Sequence, residues 1–140
     1  MSIYLDTNVL AALFRPEPQS SMIEGWLRQA GDIAISDFGA AEFSAIVSRD
    51  VRMGSIDQLW GATVLAEFDL WRANNVQQIA LGANHLSLAE AIVRRFETKL
   101  GVPDALHLAI AARADLPIVS LGRRMVEAAR FPGQPLIRSR

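Results

Sequence analysis

Asp6, Glu42 and Asp104 each occupy a position from which a carboxylate can do chemistry. Asp6 ends the apolar run of IYLDTN. The carboxyl edge of a parallel strand is where open α/β sheets gather ligands. The competing role is capping of the next helix, a task that Thr7 and Asn8 also suit. Glu42 lies in DFGAAEFSAIV, whose other members are almost all small or apolar. A carboxylate there must reach solvent or find a cation, because burying it unpaired is costly. No basic residue lies three or four positions away, so no local ion pair is available, and a metal ion would satisfy it. Asp104 follows Pro103 at the head of DALHLAIAARA. An acid there answers the helix dipole, yet its placement repeats that of Asp6. Three acids converging on one sheet edge repel one another unless a cation bridges them. Oxygen ligands with open positions suit Mg²⁺ or Mn²⁺, and such an ion activates water against a phosphodiester.

Other polar and aromatic residues carry weaker signals. His107, one turn after Asp104, is read as structural rather than as a proton shuttle. His85 is read as a surface residue near a helix start. Arg123 and Arg124 are either phosphate contacts or a solvated pair. Trp26, Trp60 and Trp71 sit in helical contexts that favour core or interface packing over base stacking. For Trp60 and Trp71 the preferred role is a partner surface.

These side chains need elements to hold them. Five short apolar runs read as strands: Ile3–Leu5, Ile33–Ser36, Gln78–Leu81, Pro117–Ser120 and Leu136–Arg138. Helical patterns lie between them, including two in succession, roughly Gly39–Val51 and Ile56–Ala73. Alternating strands and helices imply a parallel sheet covered on both faces. Ser21–Glu24, Ser55–Gln58 and Ser87–Glu90 match the capping box of a helix start. Pro103 suits the first turn of a helix over Asp104–Ala114, and Gly54 and Gly101 punctuate helix ends. The expected architecture is a three-layer α/β/α sandwich around a mostly parallel sheet of about five strands, a single domain over residues 1–140.

Composition bounds the rest. The chain has 140 residues, 51% apolar and 21% charged, enough to bury a core and exclude disorder. It has no cysteine, which removes disulfides, thiolate zinc sites and thiol catalysis. The N-terminus lacks the pattern of a secretory signal, and no apolar run reaches the ~18 residues of a membrane span. A soluble cytoplasmic protein is expected. Residues 1–93 hold 11 acids against 5 bases, whereas 94–140 hold 9 bases against 4 acids. All but one of the bases are Arg, whose planar fork matches phosphate.

The segments IYLDTNVLAALF, ISDFGAAEFSAIVSR, VPDALHLAIAARADLPIVS and RRMVEAA resemble the PIN-domain family, nearest its VapC-type toxins. The resemblance runs nearly end to end. It implies a Mg²⁺- or Mn²⁺-dependent endoribonuclease that cuts RNA, is usually dimeric, and is silenced by a small antitoxin that also binds DNA. Carried over by position, Asp6, Glu42 and Asp104 would hold the metal, with Thr7 or Asn8 orienting the carboxylates. One departure stands out. The family usually carries a further Asp after its fourth strand, but here the run is Ser120-Leu121-Gly122. Ser120 keeps the hydroxyl, while Gly122 stands where the acid is expected. Glu127, five residues on, is turned away by a helix. Either three acids suffice, or the chain is a weakened or inactive module of the same fold that grips RNA or a partner. A phospho-receiver domain would need an acidic pair after the first strand and a late Lys after a strand, whereas the single Lys99 is placed in a helix. A dehalogenase-type phosphatase would need Asp where Asn8 stands.

Overall fold

Alternation within the strands sets the layers. In β1 (Ile3–Leu5), Ile3 and Leu5 point to one side and Tyr4 to the other, and all three are buried. β2 (Ile33–Ser36) and β4 (Ile118–Ser120) repeat the pattern with Ala34 against Ile35 and Ile118 against Val119. Two apolar layers follow from this period of two. The computed structural model describes residues 2–15, 20–128 and 136–138; the side chains of Trp26, Val126 and 136–138 lie outside the description.

The first layer joins Ile3, Leu5, Ile35 and Val119 to α1 (Thr7–Phe14), α2 (Ser20–Leu27), α3 (Asp37–Arg52) and α4 (Gln58–Asn75). Phe14, Phe43 and Phe68 form its aromatic centre, and Trp71 packs edge-on against Phe14. The second joins Tyr4, Ala34 and Ile118 to α5 (Ala83–Val93), α6 (Val102–Arg113) and Met125 of α7 (Arg123–Ala128). Helices α5 and α6 pack closely through Ala89, Ile92, Leu106 and Ala109. The α/β/α sandwich expected from the sequence is the architecture observed.

With β3 (Val76–Ile79) and β5 (Leu136–Arg138), the sheet runs in the order β3-β2-β1-β4-β5, and every pairing is parallel. The chain winds outward from β1 to β3 and returns to β4 on the other side of β1. The order therefore reverses between β1 and β4, which opens a crevice at their carboxyl ends. Asp6 follows β1 and Ser120 ends β4, so both stand at that switch point.

Several local expectations need correction. The third strand begins at Val76, two residues before the expected Gln78, and the third apolar run ends outside it. None of the three capping boxes starts its helix. Ser21 lies inside α2, Asp57 rather than Ser55 caps α4 by accepting the Trp60 N–H at 2.7 Å, and Ser87 donates to Ala83 O within α5. His85 is buried, not on the surface: its Nδ1 accepts the Gly82 N–H at 2.9 Å and closes the head of α5. Lys99 is not helical but caps a 3₁₀ turn at Phe96–Thr98 with φ 57°. Pro103 does fall in the first turn of α6, and Gly54, at φ +76°, ends α3 as only glycine does easily.

Candidate active site

Asp6 is fixed before any ligand arrives. One carboxylate oxygen accepts the Thr7 N–H at 2.7 Å, capping α1, and the other accepts the Ser120 hydroxyl at 2.7 Å. That hydroxyl in turn accepts Asn8 Nδ2 at 3.3 Å and the Gly122 N–H at 3.0 Å, while Asn8 Oδ1 takes the Leu121 N–H at 3.2 Å. These bonds tie β1 to β4 across the switch point. Capping does not draw Asp6 away from the crevice, because the same buried side chain caps α1 and lines the cavity there.

Glu42, in the second turn of α3, has a partner after all, supplied from 65 residues away. His107 of α6 donates from Nε2 to Glu42 Oε1, and the Thr7 hydroxyl donates to the same oxygen at 2.7 Å. Thr7 Oγ1 also lies 3.0 Å from His107 Nε2. Behind the imidazole, Tyr4 Oη lies 2.6 Å from Nδ1 and 2.8 Å from Ser36 Oγ, and Ser36 caps α3 through Gly39 N–H. Gly39 leaves the imidazole its space, since a Cβ there would stand 3.4 Å from His107 Cε1 and 3.3 Å from Ser36 Oγ.

The charges fall into a consistent order. Burial alone would lower the His107 pKa, but the bond to Glu42 and the charges of Asp6, Glu42 and Asp104 raise it overall. Burial would raise Glu42, and the His107 bond and charge with the Thr7 bond bring it below its ordinary value. Asp104 is pushed up by desolvation and by Asp6 and Glu42, against the opposing pull of His107 and Arg124. The Tyr4 phenol, pushed well up chiefly by burial, stays neutral.

An open cavity of about 480 Å³ brings together Asp6, Thr7, Asn8, Glu42 and Asp104. Its far wall is the face of α3 carrying Ala45, Ile46, Arg49 and Arg52. The carboxylates supply hard oxygen donors of the kind Mg²⁺ takes, and such an ion needs only one or two of them beside its waters. Among the described residues, no three Asp, Glu, His or Cys side chains are grouped closely enough to enclose an ion. Glu42 spends one oxygen on Thr7 and His107.

The other expected residues distribute unevenly. Ser120 stands behind Asp6, and a Cβ on Gly122 would lie 3.5 Å from Ser120 Oγ and 3.7 Å from Asn8 Nδ2. Arg123 and Arg124 are exposed at the start of α7 and do not line the cavity, although the charge of Arg124 reaches Asp104. Glu127 is exposed. Trp60 is exposed beside a second cavity of about 190 Å³, with Phe14, Ile56 and Val64. Trp71 is half-buried against the phenylalanine cluster, so packing accounts for it. The side chain of Trp26 lies outside the described residues. His107, Tyr4, Ser36, Arg49 and Arg52 were not among the expected site residues. For the two arginines the signal was present, at spacings of seven and ten from Glu42 on one helix face.

No described helix is long and apolar enough to cross a membrane. The chain is 26% identical over 132 residues to Ribonuclease VapC3 of Pyrobaculum aerophilum, covering 94% of this chain and 96% of that protein. Its fold matches a chain of the Rickettsia felis VapBC2 crystal structure, bound to a promoter DNA fragment, with a TM-score of 0.72 and 19% identity over the full length of both. It also matches Mycobacterium tuberculosis VapC20, a sarcin-ricin loop cleaving toxin, with a TM-score of 0.72 and 18% identity over 90% of this chain and 94% of that one. The PIN-domain family model matches residues 3–131, nearly the whole length, and the chain belongs to the PIN-domain family.

Proposed function

We propose that this chain is a divalent-metal-dependent endoribonuclease, the toxin of a VapBC-type toxin–antitoxin pair acting in the cytoplasm as a single domain. The observation that carries the reading is the meeting of Asp6, Glu42 and Asp104, from three separate elements, in one cavity at the sheet's switch point. Asp6, Glu42 and Asp104 would hold Mg²⁺ or Mn²⁺, one or two of them directly and the rest through the ion's waters. When bound, the ion supplies water activation and charge stabilisation at a phosphodiester. The protein's part is placement. Ser120 and the Thr7 N–H fix both oxygens of Asp6, and Thr7 with His107 fixes Glu42, so little reorganisation is left for the moment of reaction. Thr7, Asn8 and Ser120 therefore orient the acids, and Arg123 and Arg124 approach the RNA from the α7 side.

A small antitoxin and a second copy of the chain are the partners of this reading. The exposed Trp60 stands beside a cavity of mixed lining, with Phe14, Val47, Ile56 and Val64 next to Arg15 and Asp50, which suits an inserted amphipathic segment. One observation favours a second reading, a catalytically silent module of the same fold: Gly122 offers no carboxylate beside Ser120. The test is incubation of the purified chain with RNA in Mg²⁺, Mn²⁺ or EDTA, with Asp104→Asn as control. Metal-dependent cleavage lost in the variant supports the nuclease. RNA binding without cleavage in any metal supports the silent module, and neither binding nor cleavage defeats both.

A further inference from the structure

The cavity that holds the carboxylates does not end at them. Along α3 its wall runs from Glu42 over Ala45 and Ile46 to Arg49 and Arg52. Offsets of 3, 4, 7 and 10 residues place all five on one face of the helix. At 1.5 Å per residue, Arg49 and Arg52 stand roughly 10 and 15 Å from Glu42 along the axis.

Among the described residues, the charge on this wall has no carboxylate partner. Arg15, Arg72, Arg94 and Arg95 each have a carboxylate within 4.0 Å. Among the described residues, neither Arg49 nor Arg52 does; Arg52 donates only to the Ser48 hydroxyl, at 2.8 Å. The acid between them, Asp50, lines the second cavity instead and is paired with Arg15 at 2.9 Å. Arginines in a last helical turn also answer the helix dipole, but that role requires neither of them to line the cavity that holds the acids.

We propose that Arg49 and Arg52 form a phosphate-binding track that carries a single RNA strand along α3 to the carboxylates. This rests on the ribonuclease reading and extends it to the path of the substrate. The track begins at the acids, where the bond to be cut sits. It continues over the small, apolar shelf of Ala45 and Ile46, which lets a base or ribose lie flat. It ends on two guanidinium groups that take the next phosphates. A stacked strand advances ~3.4 Å per nucleotide, so the stretch from Glu42 to Arg52 spans about four. The cavity is the size of a small-ligand pocket, which admits nucleotides singly; a duplex would keep its convex backbone outside. The contacts are to backbone, so they fix register and affinity without reading sequence.

The test uses the full chain and a short, labelled single-stranded RNA. Binding is followed by fluorescence anisotropy in EDTA across a salt series, and KM and kcat are measured with Mg²⁺. Arg49→Ala/Arg52→Ala is compared with wild type and with Arg28→Ala/Arg72→Ala, which removes equal charge elsewhere. Each lost phosphate contact lowers the salt slope of single-strand binding by about 0.7. The track variant should therefore lose about 1.4 from its slope and bind roughly ten- to a hundredfold more weakly at low salt. In Mg²⁺ its KM should rise with kcat little changed, and the control should follow wild type in every measurement. A wild type that binds or cleaves RNA, beside a track variant with the same slope and KM, overturns the strand path and leaves the ribonuclease reading standing. A track variant no weaker than the control overturns it equally. If wild type neither binds nor cleaves RNA, the ribonuclease reading fails and the track fails with it.

Discussion

Tyr4 Oη lies 2.6 Å from His107 Nδ1, joining the central strand to the one imidazole that touches Glu42. The phenol is neutral and bonded on its other side to Ser36 Oγ. With His107 charged, Nδ1–H donates to Tyr4, whose hydroxyl donates on to Ser36, so each buried polar atom has a partner. Tyr4→Phe keeps the ring and removes the link. It should cost about 1–3 kcal/mol, because Ser36 and Nδ1 lose a buried partner. Chemical denaturation checks this, and an unchanged midpoint would mean that water replaces the hydroxyl.

The Glu42–His107 pair makes stability depend on pH in a defined window. Glu42 is held below its ordinary 4.5, so its contribution is present above that value and lost as pH falls through the lowered one. His107 is raised above 6.5, so its contribution is present below that value and lost as pH rises through the raised one. Both contributions are complete between about 4.5 and 6.5. The unfolding free-energy difference between wild type and Glu42→Gln, measured in EDTA, should be largest there and decline on both sides. A difference that does not change with pH would show that the pair is not charged.

What the sequence made legible follows from the range of the interactions. Asp6 and Asp104 were readable because strand ends and helix starts are local patterns, as was the face of α3 that carries Glu42. The partner of Glu42 was not: His107 is 65 residues away, and Tyr4 is 103 from His107. A search within one helical turn therefore found no cation. The strand at Val76 was displaced because Gln77 and Gln78, on an edge of the sheet, are exposed and carry no apolar signal. Ser-x-x-Glu/Gln misled at Ser87 because a serine hydroxyl can also bond back to the carbonyl four residues earlier.

Neutralising the two aspartates should have opposite consequences for the fold. Asp104 is exposed at the rim, and the neighbouring acids disfavour its charge. Asp104→Asn should thus leave the metal-free protein as stable as wild type or more so, by roughly a few tenths of a kcal/mol after solvent screening. Asp6 accepts two hydrogen bonds on two oxygens. An amide there must turn its NH₂ toward either the Thr7 N–H or the Ser120 hydroxyl, so Asp6→Asn should lose about 1–3 kcal/mol. Both variants should lose cleavage. Melting temperatures in EDTA in the reverse order would contradict the bonding assigned to Asp6.

Gly61 of α4 lies close against α3. A Cβ there would lie 2.6 Å from Val51 Cγ2, and a β-branched neighbour has little freedom to turn aside. Helix propensity favours alanine over glycine by about 1 kcal/mol. Overpacking costs about 1–3 kcal/mol and should prevail. Gly61→Ala should melt below wild type, and adding Val51→Ala should recover part of the loss. A higher melting point for Gly61→Ala alone would mean that the helices separate freely.

Gly122 offers the most direct test of the ligand set. The backbone there has no positive φ, and a Cβ would meet Ser120 Oγ at 3.5 Å, Asn8 Nδ2 at 3.7 Å and Met125 Cβ at 3.7 Å, all ordinary contacts. Aspartate should therefore be accepted without strain. Its Cβ would point toward Ser120 and Asn8, the side chains that hold Asp6, which puts the new carboxylate within reach of the cavity rim. An added anionic oxygen strengthens a divalent site, and tighter metal should raise cleavage where metal is limiting. Without metal the same charge adds to the repulsion already felt by Asp104, so Gly122→Asp should be less stable than Gly122→Asn in EDTA. Metal should reverse that order by binding only the folded state. Mn²⁺ titration by electron paramagnetic resonance, paired with melting curves in EDTA and in Mn²⁺, measures both effects apart from turnover. Tighter Mn²⁺ for Asp but not for Asn would identify Gly122 as the position of a lost ligand. Equal Mn²⁺ affinity in two folded variants would mean that position 122 does not face the ion.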